Sequence, residues 1–291
     1  MPTHIKQTSK QQIVPIFSGG GTRLTAHIGI FKALDDLNLE FNNIVGISGG
    51  SIVSALVCCG RSLDDIKQLA VNTDFRQFKG YSIYKLLKDG GLSSGDKFEQ
   101  WMDEQLSGKT FADIELNLNI VATDVNGGGP VIFNKENTPL MKISEAVRFS
   151  MSIPLVFSFK PYKEHLLVDG AILSEDALFR DWSGDNTPNV CFRLKSQQKP
   201  VIRKRHAFFQ LPEFVFMLIR TFMTALSREY VNADNWHNTI VIDTGTTSAV
   251  DFNLTAEDKE RLFQAGYHSA IEFIPQKLGK LLTTDDKPIG R

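Results

Sequence analysis

The residue with the clearest chemical signature is Ser48, which lies between small residues directly after a short apolar run. The segment Gly46-Ile47-Ser48-Gly49-Gly50 matches the pattern G-x-S-x-G, in which a sharp turn from strand to helix exposes a serine oxygen at the edge of a sheet. Small neighbours are required because the turn is strained and the backbones approach closely. The alternative is a glycine-rich turn in which Ser48 caps the following helix. The pattern therefore predicts Ser48 as a nucleophile for acyl transfer.

A second glycine-rich segment, Gly19-Gly20-Gly21-Thr22-Arg23, follows an earlier apolar run. Successive amide N–H groups in such a loop, at the start of a helix, form a concave site for anions. A phosphate cradle for a dinucleotide would require a third glycine and an acidic residue at the end of the second strand. Leu24 occupies the position of that glycine, and no acid ends the second apolar run. The segment instead favours an oxyanion hole, the glycine-rich partner of a nucleophilic serine.

A nucleophilic serine requires a base. In the α/β-hydrolase order, an acid and then a histidine follow the serine. The later histidines, none of which lies in a tight loop directly after a predicted strand, are His165, His206, His237 and His268. His27, in the first predicted helix near the glycine loop, is predicted to be structural. Asp169 is a different candidate, because it ends an apolar strand and precedes Gly170 and Ala171; its alternative is a plain Asp-Gly turn.

In this order, the glycine loop, G-x-S-x-G and Asp169-Gly170-Ala171 resemble the patatin-like phospholipase family. Two further segments resemble it: residues 88–96 match its mid-domain turn, and residues 146–154 match its segment ending in Ile-Pro. The resemblance spans residues 13–178, and more weakly extends to 274.

The resemblance implies a serine–aspartate dyad without histidine. Ser48 is then the nucleophile and Asp169 the base, and the oxyanion loop consists of Gly19, Gly20, Gly21 and Arg23. The chain departs from the family pattern at Leu24, where members usually have glycine, and at Ala171, where they often have glycine.

The expected activity is hydrolysis of glycerophospholipid ester bonds through an acyl-enzyme on Ser48. No cofactor and no metal are expected, calcium included, because no acidic calcium loop of EF-hand type is present. Two alternatives stay open. One is a lipid- or nucleotide-binding module without turnover, and the other is an esterase that depends on His237 or His268.

Alternating β-branched and amphipathic segments predict the fold class α/β, a single doubly wound, mostly parallel sheet flanked by helices. The domain is predicted over residues 9–275, and residues 276–291 as a polar tail or linker. The predicted strands are 13–17, 44–47, 118–123, 131–134, 166–168, 190–194 and 239–242. The predicted helices follow each glycine-rich segment, through residues 36 and 59, and cover 63–71, 96–106, 143–150 and 256–274.

Composition excludes several classes of protein. With 42% hydrophobic and 22% charged residues, the chain is neither disordered nor a small disulfide-rich scaffold. Lys and Arg total 32 against 33 for Asp and Glu, so no nucleic-acid polymer is expected as a partner. Cys58, Cys59 and Cys191 fit a reducing cytosol. The polar N-terminus has no signal core, so we expect a soluble, cytoplasmic protein with peripheral membrane association. A homo-oligomer and a regulatory small molecule or protein stay open as partners.

A basic and aromatic segment offers a contact with the phospholipid surface that would be the substrate. Arg203, Lys204 and Arg205 lead into Phe208 and Phe209. Charges drawn to anionic head groups and rings at the acyl boundary are typical of interfacial segments. The alternative is that the rings are core or dimer contacts, because their spacing also suits a buried helix face.

Overall fold

The described part of the structure, a computed structural model, consists of residues 11–78, 80, 82–172, 180–197, 214, 217, 218, 221 and 237–284. Its strands are β1 Val14–Ser18, β2 Asn43–Ile47, β3 Gly91–Ser93, β4 Asn117–Asp124, β5 Gly129–Phe133, β6 Leu155–Phe157, β7 Lys160–Tyr162, β8 His165–Val168, β9 Asn189–Lys195 and β10 Thr239–Asp243. Its helices are α1 Leu24–Asp36, α2 Gly49–Cys58, α3 Leu63–Asn72, α4 Ile83–Asp89, α5 Asp96–Gln105, α6 Ile143–Ser150 and α7 Ala256–Thr284.

The predicted fold class is confirmed, because helices flank one eight-stranded, mostly parallel sheet. Five strands are parallel in the order β10-β9-β1-β2-β4, whereas β5 and β8 each pair antiparallel with β4, and β7 pairs antiparallel with β8. The strands of such a sheet are buried on both faces and read as continuous apolar runs. All five residues of β1 are buried accordingly. This burial explains why the parallel strands were predicted within one residue of their observed ends.

The larger core lies between the sheet and α1, α2 and α6. Phe17 of β1 stacks on Phe31 of α1 and on Phe192 of β9, with ring centroids 4.2 and 5.4 Å apart. A smaller apolar cluster on the opposite face of the sheet includes Ile47 and Val121. The strands that lead into the predicted site are therefore held from both sides.

The last helix is longer than predicted. We expected it to end at residue 274, but α7 continues through Pro275 to Thr284, so residues 276–284 of the predicted tail are helical. Proline removes one backbone hydrogen bond from a helix. Ile274 and Leu278 are both buried, and their packing offsets that loss. The helix begins at a reciprocal capping pair, because Thr255 and Asp258 each accept a hydrogen bond from the other's amide.

Short elements were missed. The helix α4 and the small parallel pair formed by β3 and β6 were not predicted. Each strand of that pair has only three residues, which is too short for alternation of polar and apolar side chains to be visible. Across the described residues, no helix combines the length and the apolar character needed to cross a membrane.

Candidate active site

Ser48 lies in the sharp turn between β2 and α2. Its backbone has φ 55° and ψ −131°, in a region that non-glycine residues rarely occupy, and its side chain is fully buried. Such strain persists only where the surroundings fix it, and it is frequent at reactive residues. The following residue has no room for a side chain, because a Cβ on Gly49 would lie 2.6 Å from the amide nitrogen of Gly21. The turn and the glycine loop are thus in direct contact.

Asp169 is the hydrogen-bond partner of Ser48. The Ser48 hydroxyl donates to Oδ2 of Asp169 over 2.7 Å, and Oδ1 accepts the amide N–H of Ala171 over 2.9 Å. Complete burial, which disfavours the charged form, raises the pKa of Asp169 to about 6, although both hydrogen bonds act in the opposite direction. The carboxylate is therefore a stronger base than a solvated aspartate.

The sheet topology brings these two residues together. β2 runs parallel to β4 and its pairing ends one residue before Ser48, whereas β8 runs antiparallel and its pairing ends one residue before Asp169. Because β5 occupies the other edge of β4 over the same residues, β2 and β8 approach along one edge from opposite directions. Ser48 and Asp169 meet in the gap between the two strand ends.

The glycine loop lies beside this gap, with positive φ at Gly19, Gly20 and Gly21. The amide of Gly19 donates to the carbonyl of Ile47 over 3.1 Å, so this residue shapes the loop and its donor is occupied. In contrast, no described residue accepts a hydrogen bond from the amides of Gly20, Gly21 or Gly49. Sequence reasoning did not select Gly49, although the G-x-S-x-G pattern places an oxyanion donor directly after the nucleophile.

Arg23 supports the loop from behind. Its guanidinium is buried and donates to the carbonyl of Gly20 over 3.2 Å, to Thr244 Oγ1 over 2.8 Å and to the carbonyl of Leu194 over 3.5 Å. The Arg23 amide also donates to the carbonyl of Gly20. Burial lowers the pKa of Arg23 to about 10, so the side chain stays charged at neutral pH. Each of its three side-chain nitrogens donates a hydrogen bond within the protein, and these bonds hold the loop.

His27 fixes one peptide group of the loop. Its Nε2 lies 2.9 Å from the carbonyl oxygen of Gly19, which also accepts the amide N–H of Gly50 over 3.0 Å. Burial lowers the pKa of His27 to about 4, so the ring is neutral and Nε2–H is the donor. Because a peptide's C=O and N–H point in opposite directions, the amide of Gly20 points away from His27. The predicted structural role of His27 agrees with these contacts.

The other histidines of the described chain do not reach Ser48. His165 lies 2.8 Å from a carboxylate oxygen of Asp124, and both His237 and His268 are exposed. Among described residues, the side-chain partners of the Ser48 hydroxyl are Asp169 and Met151, whose sulfur lies 3.7 Å away. No described group of three or more His, Cys, Asp or Glu residues is arranged to hold a metal ion.

An apolar cavity adjoins the site at Met151 and Gly21. Its walls are largely aliphatic and aromatic: Leu24, Ile52, Phe75, Phe78, Phe98, Trp101, Ile153, Phe157 and Phe252 contribute to them. Its volume is about 30 Å³, far below the roughly 300 Å³ or more of ordinary ligand pockets, so a longer ligand requires side chains to move. Leu24 thus lies in an apolar wall beside the loop.

Comparison with known proteins identifies the family of this chain. A model of the family described as patatin-like phospholipase matches residues 16–178. The chain belongs to this family. An uncharacterised protein of Acanthamoeba polyphaga mimivirus is 29% identical over 95% of this chain and 97% of its own length. Neuropathy target esterase sws of Drosophila grimshawi is 26% identical over 55% of this chain and 11% of its own length.

The fold is shared with solved structures. VipD from Legionella pneumophila superposes with a TM-score of 0.61 at 16% identity, over 92% of this chain and 67% of VipD. Membership of the family supports a lipid hydrolase. The predicted membrane-contact residues, Arg203, Lys204, Arg205, Phe208 and Phe209, and the remaining late histidine, His206, lie outside the described residues.

Proposed function

We propose that this chain hydrolyses ester bonds of glycerophospholipids through an acyl-enzyme on Ser48, with Asp169 as the base. The observation that carries the proposal is the 2.7 Å hydrogen bond from the Ser48 hydroxyl to a buried carboxylate. A nucleophile and its base within hydrogen-bond distance are the minimal unit of covalent catalysis.

In the first half-reaction, Ser48 Oγ attacks the ester carbonyl carbon and its proton passes to Oδ2 of Asp169. The carbonyl oxygen becomes an oxyanion. When the tetrahedral intermediate collapses, the bond to the leaving alcohol breaks, and that alcohol takes the proton from Asp169. The products are a free lysophospholipid and acyl-Ser48.

The second half-reaction repeats the proton transfers with water. Asp169 accepts a proton from a water molecule as its oxygen attacks the acyl-serine. Collapse releases the fatty acid, and the proton returns from Asp169 to Ser48 Oγ. The enzyme then regains its starting state without a net change in protonation.

Stabilisation of the oxyanion has to supply much of the rate enhancement, because a carboxylate is a weaker base than imidazole even with a pKa of about 6. Within the described chain, the amides of Gly20, Gly21 and Gly49 are donors beside Ser48 that have no acceptor. Each oxyanion donor contributes about a hundred- to a thousandfold in kcat in well-studied hydrolases. Donors held by a rigid backbone need no reorientation during the reaction.

The apolar cavity that begins at Met151 and Gly21 supports the proposal that the substrate is a lipid. An acyl chain whose ester carbonyl sits at Ser48 would enter between these residues and displace the aromatic walls. The named esterase among the relatives also acts as a precedent for ester hydrolysis in this family. The membrane surface would bind through the basic segment at Arg203, Lys204 and Arg205.

The proposal is tested by labelling the protein with a fluorophosphonate and by incubating it with vesicles of defined phospholipids, with products read by mass spectrometry. We expect label on Ser48 and release of fatty acid, and loss of both in Ser48→Ala. Ser54→Ala is the matched control, because Ser54 is a buried serine on α2, the helix that follows Ser48, and its hydroxyl has no hydrogen-bond partner in the described chain. Vesicle binding without label or product would instead indicate a binding module.

A further inference from the structure

The side chain of Ser150 connects the nucleophile turn to the central strand. Its hydroxyl accepts the amide N–H of Ser48 over 2.8 Å and donates to the carbonyl of Val121 over 2.6 Å. Ser150 is the last residue of α6 and is fully buried. Sequence reasoning gave this serine no role.

The strand pairing explains why the Val121 carbonyl is available. Val121 of β4 faces Ile47, the last paired residue of β2, so the β2 ladder ends at this point. The Ser150 hydroxyl enters the gap beyond it. A Cβ on Gly170 would lie 2.0 Å from the same carbonyl oxygen, so the turn that follows Asp169 packs against it too. The turn at Ser48 and the turn after Asp169 are therefore both positioned by the same carbonyl group.

A hydroxyl is the group this position requires. It has one proton to donate and lone pairs to accept, so it can bridge a carbonyl and an amide at once. An alanine would leave a buried N–H and a buried C=O without this partner. The Ser48 amide is thereby occupied, which keeps it out of the oxyanion hole and fixes the strained φ of 55°.

We propose that Ser150 is a positioning residue for acyl transfer, which orients the Ser48 main chain so that Oγ faces Asp169 while the amides of Gly20, Gly21 and Gly49 receive the oxyanion. This inference rests on the proposed function of Ser48. Ser150 does not touch the reacting atoms, so its removal is expected to lower kcat while KM changes little.

The test compares Ser150→Ala, Ser150→Cys and Ser150→Thr in ester hydrolysis and in the rate of fluorophosphonate labelling. We expect kcat and the labelling rate to fall about ten- to a hundredfold in Ser150→Ala, the cost typical of a small misplacement of reacting groups. Ser150→Thr keeps the hydroxyl and is expected to retain more activity. Ser150→Cys keeps the volume but offers a weak donor and acceptor, so its kcat is expected to fall as well.

Ser144→Ala is the matched control. Ser144 is a buried serine on the same helix, and its hydroxyl donates to Asp103 over 2.9 Å, away from the site. We expect a comparable loss of thermal stability with unchanged kcat. If Ser150→Ala and Ser150→Cys both kept the kcat of Ser144→Ala, the inference would be wrong although the proposed function stood. Wild-type protein that neither labels nor hydrolyses would instead overturn the proposed function and this inference with it.

Discussion

The carboxylate of Asp169 lies 2.7 Å from the hydroxyl of Ser48 and forms no ion pair with any residue that the structure describes. Within the described residues, two hydrogen bonds stabilise its negative charge, in a fully buried position. A pKa raised from 3.8 to about 6 corresponds to about 3 kcal/mol of unfavourable free energy for the charged form. The burial that makes Asp169 a stronger base therefore also lowers the free energy of unfolding whenever the carboxylate is charged.

Ser48→Ala and Asp169→Asn should each abolish ester hydrolysis without unfolding the protein. Residues that act as one unit show strongly non-additive losses, so the double variant should be about as inactive as either single variant. Hydrolysis rates for all three variants, with circular dichroism to verify folding, provide the measurement. A double variant far less active than both single variants would show that the residues act independently.

The rate should depend on pH through Asp169. The carboxylate must be ionised to accept a proton, so kcat/KM for a soluble short-chain ester should rise as pH increases through about 6 and then level off. His237→Ala and His268→Ala should leave this profile unchanged, because both side chains are exposed. A profile whose inflection disappears in either histidine variant would favour the histidine-dependent esterase.

Asp169→Asn should raise the free energy of unfolding at neutral pH. The folded-state pKa of about 6 lies above the unfolded value of about 4, so the folded protein binds the extra proton between these values and loses stability as pH rises through that window. Asparagine does not titrate, so the substitution removes this loss. The free energy of unfolding should rise by at most about 3 kcal/mol, and the full gain should be reached above about pH 6. Chemical denaturation at about pH 7.5 and about pH 4 measures it. A gain that is equal at both pH values would exclude Asp169 as its source.

The parts that sequence could predict are those decided by local pattern. Ser48 is identifiable because a strained strand-to-helix turn demands small neighbours, and the parallel strands because burial on both faces makes them apolar throughout. The predicted end of α7 was wrong. The expectation that proline ends a helix depends on local sequence, whereas the packing of Leu278 that stabilises the continued helix depends on tertiary structure.

Long-range contacts account for the residues that sequence reasoning did not select. Ser150 reaches Ser48 across 102 positions of sequence, and it does so only because β2 ends where β4 continues. Likewise, the partners of Arg23 that show its supporting role, Thr244 and Leu194, lie far along the chain. No spacing rule connects such residues, so only the fold reveals them.

The basic segment gives a prediction about the membrane surface. Changing Arg203, Lys204 and Arg205 to Glu should weaken binding to anionic vesicles and slow hydrolysis there, because each basic residue near such a surface contributes about 1 kcal/mol. Cleavage of a soluble short-chain ester should remain normal. Vesicle sedimentation at two salt concentrations measures the binding. If binding changed neither with these substitutions nor with the salt concentration, the segment would belong to the core or to a dimer contact.

The glycine loop offers a matched pair of variants. A Cβ at Gly21, where φ is +54°, would lie 2.0 Å from the carbonyl oxygen of Ala249, so Gly21→Ala must displace the loop and its free amide. At Gly19, where φ is +73°, a Cβ meets no atom within 4 Å, and the amide is already bonded to Ile47. Gly19→Ala should therefore lower the free energy of unfolding by about 1 to 2 kcal/mol, because alanine disfavours the left-handed backbone conformation. Most of kcat should be retained.

Gly21→Ala should lower kcat at least about a hundredfold, the effect of losing one oxyanion donor, while binding to phospholipid vesicles is retained. The measurement is kcat on vesicles for both variants, normalised to the folded fraction from thermal melts. Should the two variants lose kcat equally after that correction, the loss would reflect backbone strain alone. The amide of Gly21 would then not be a donor to the oxyanion.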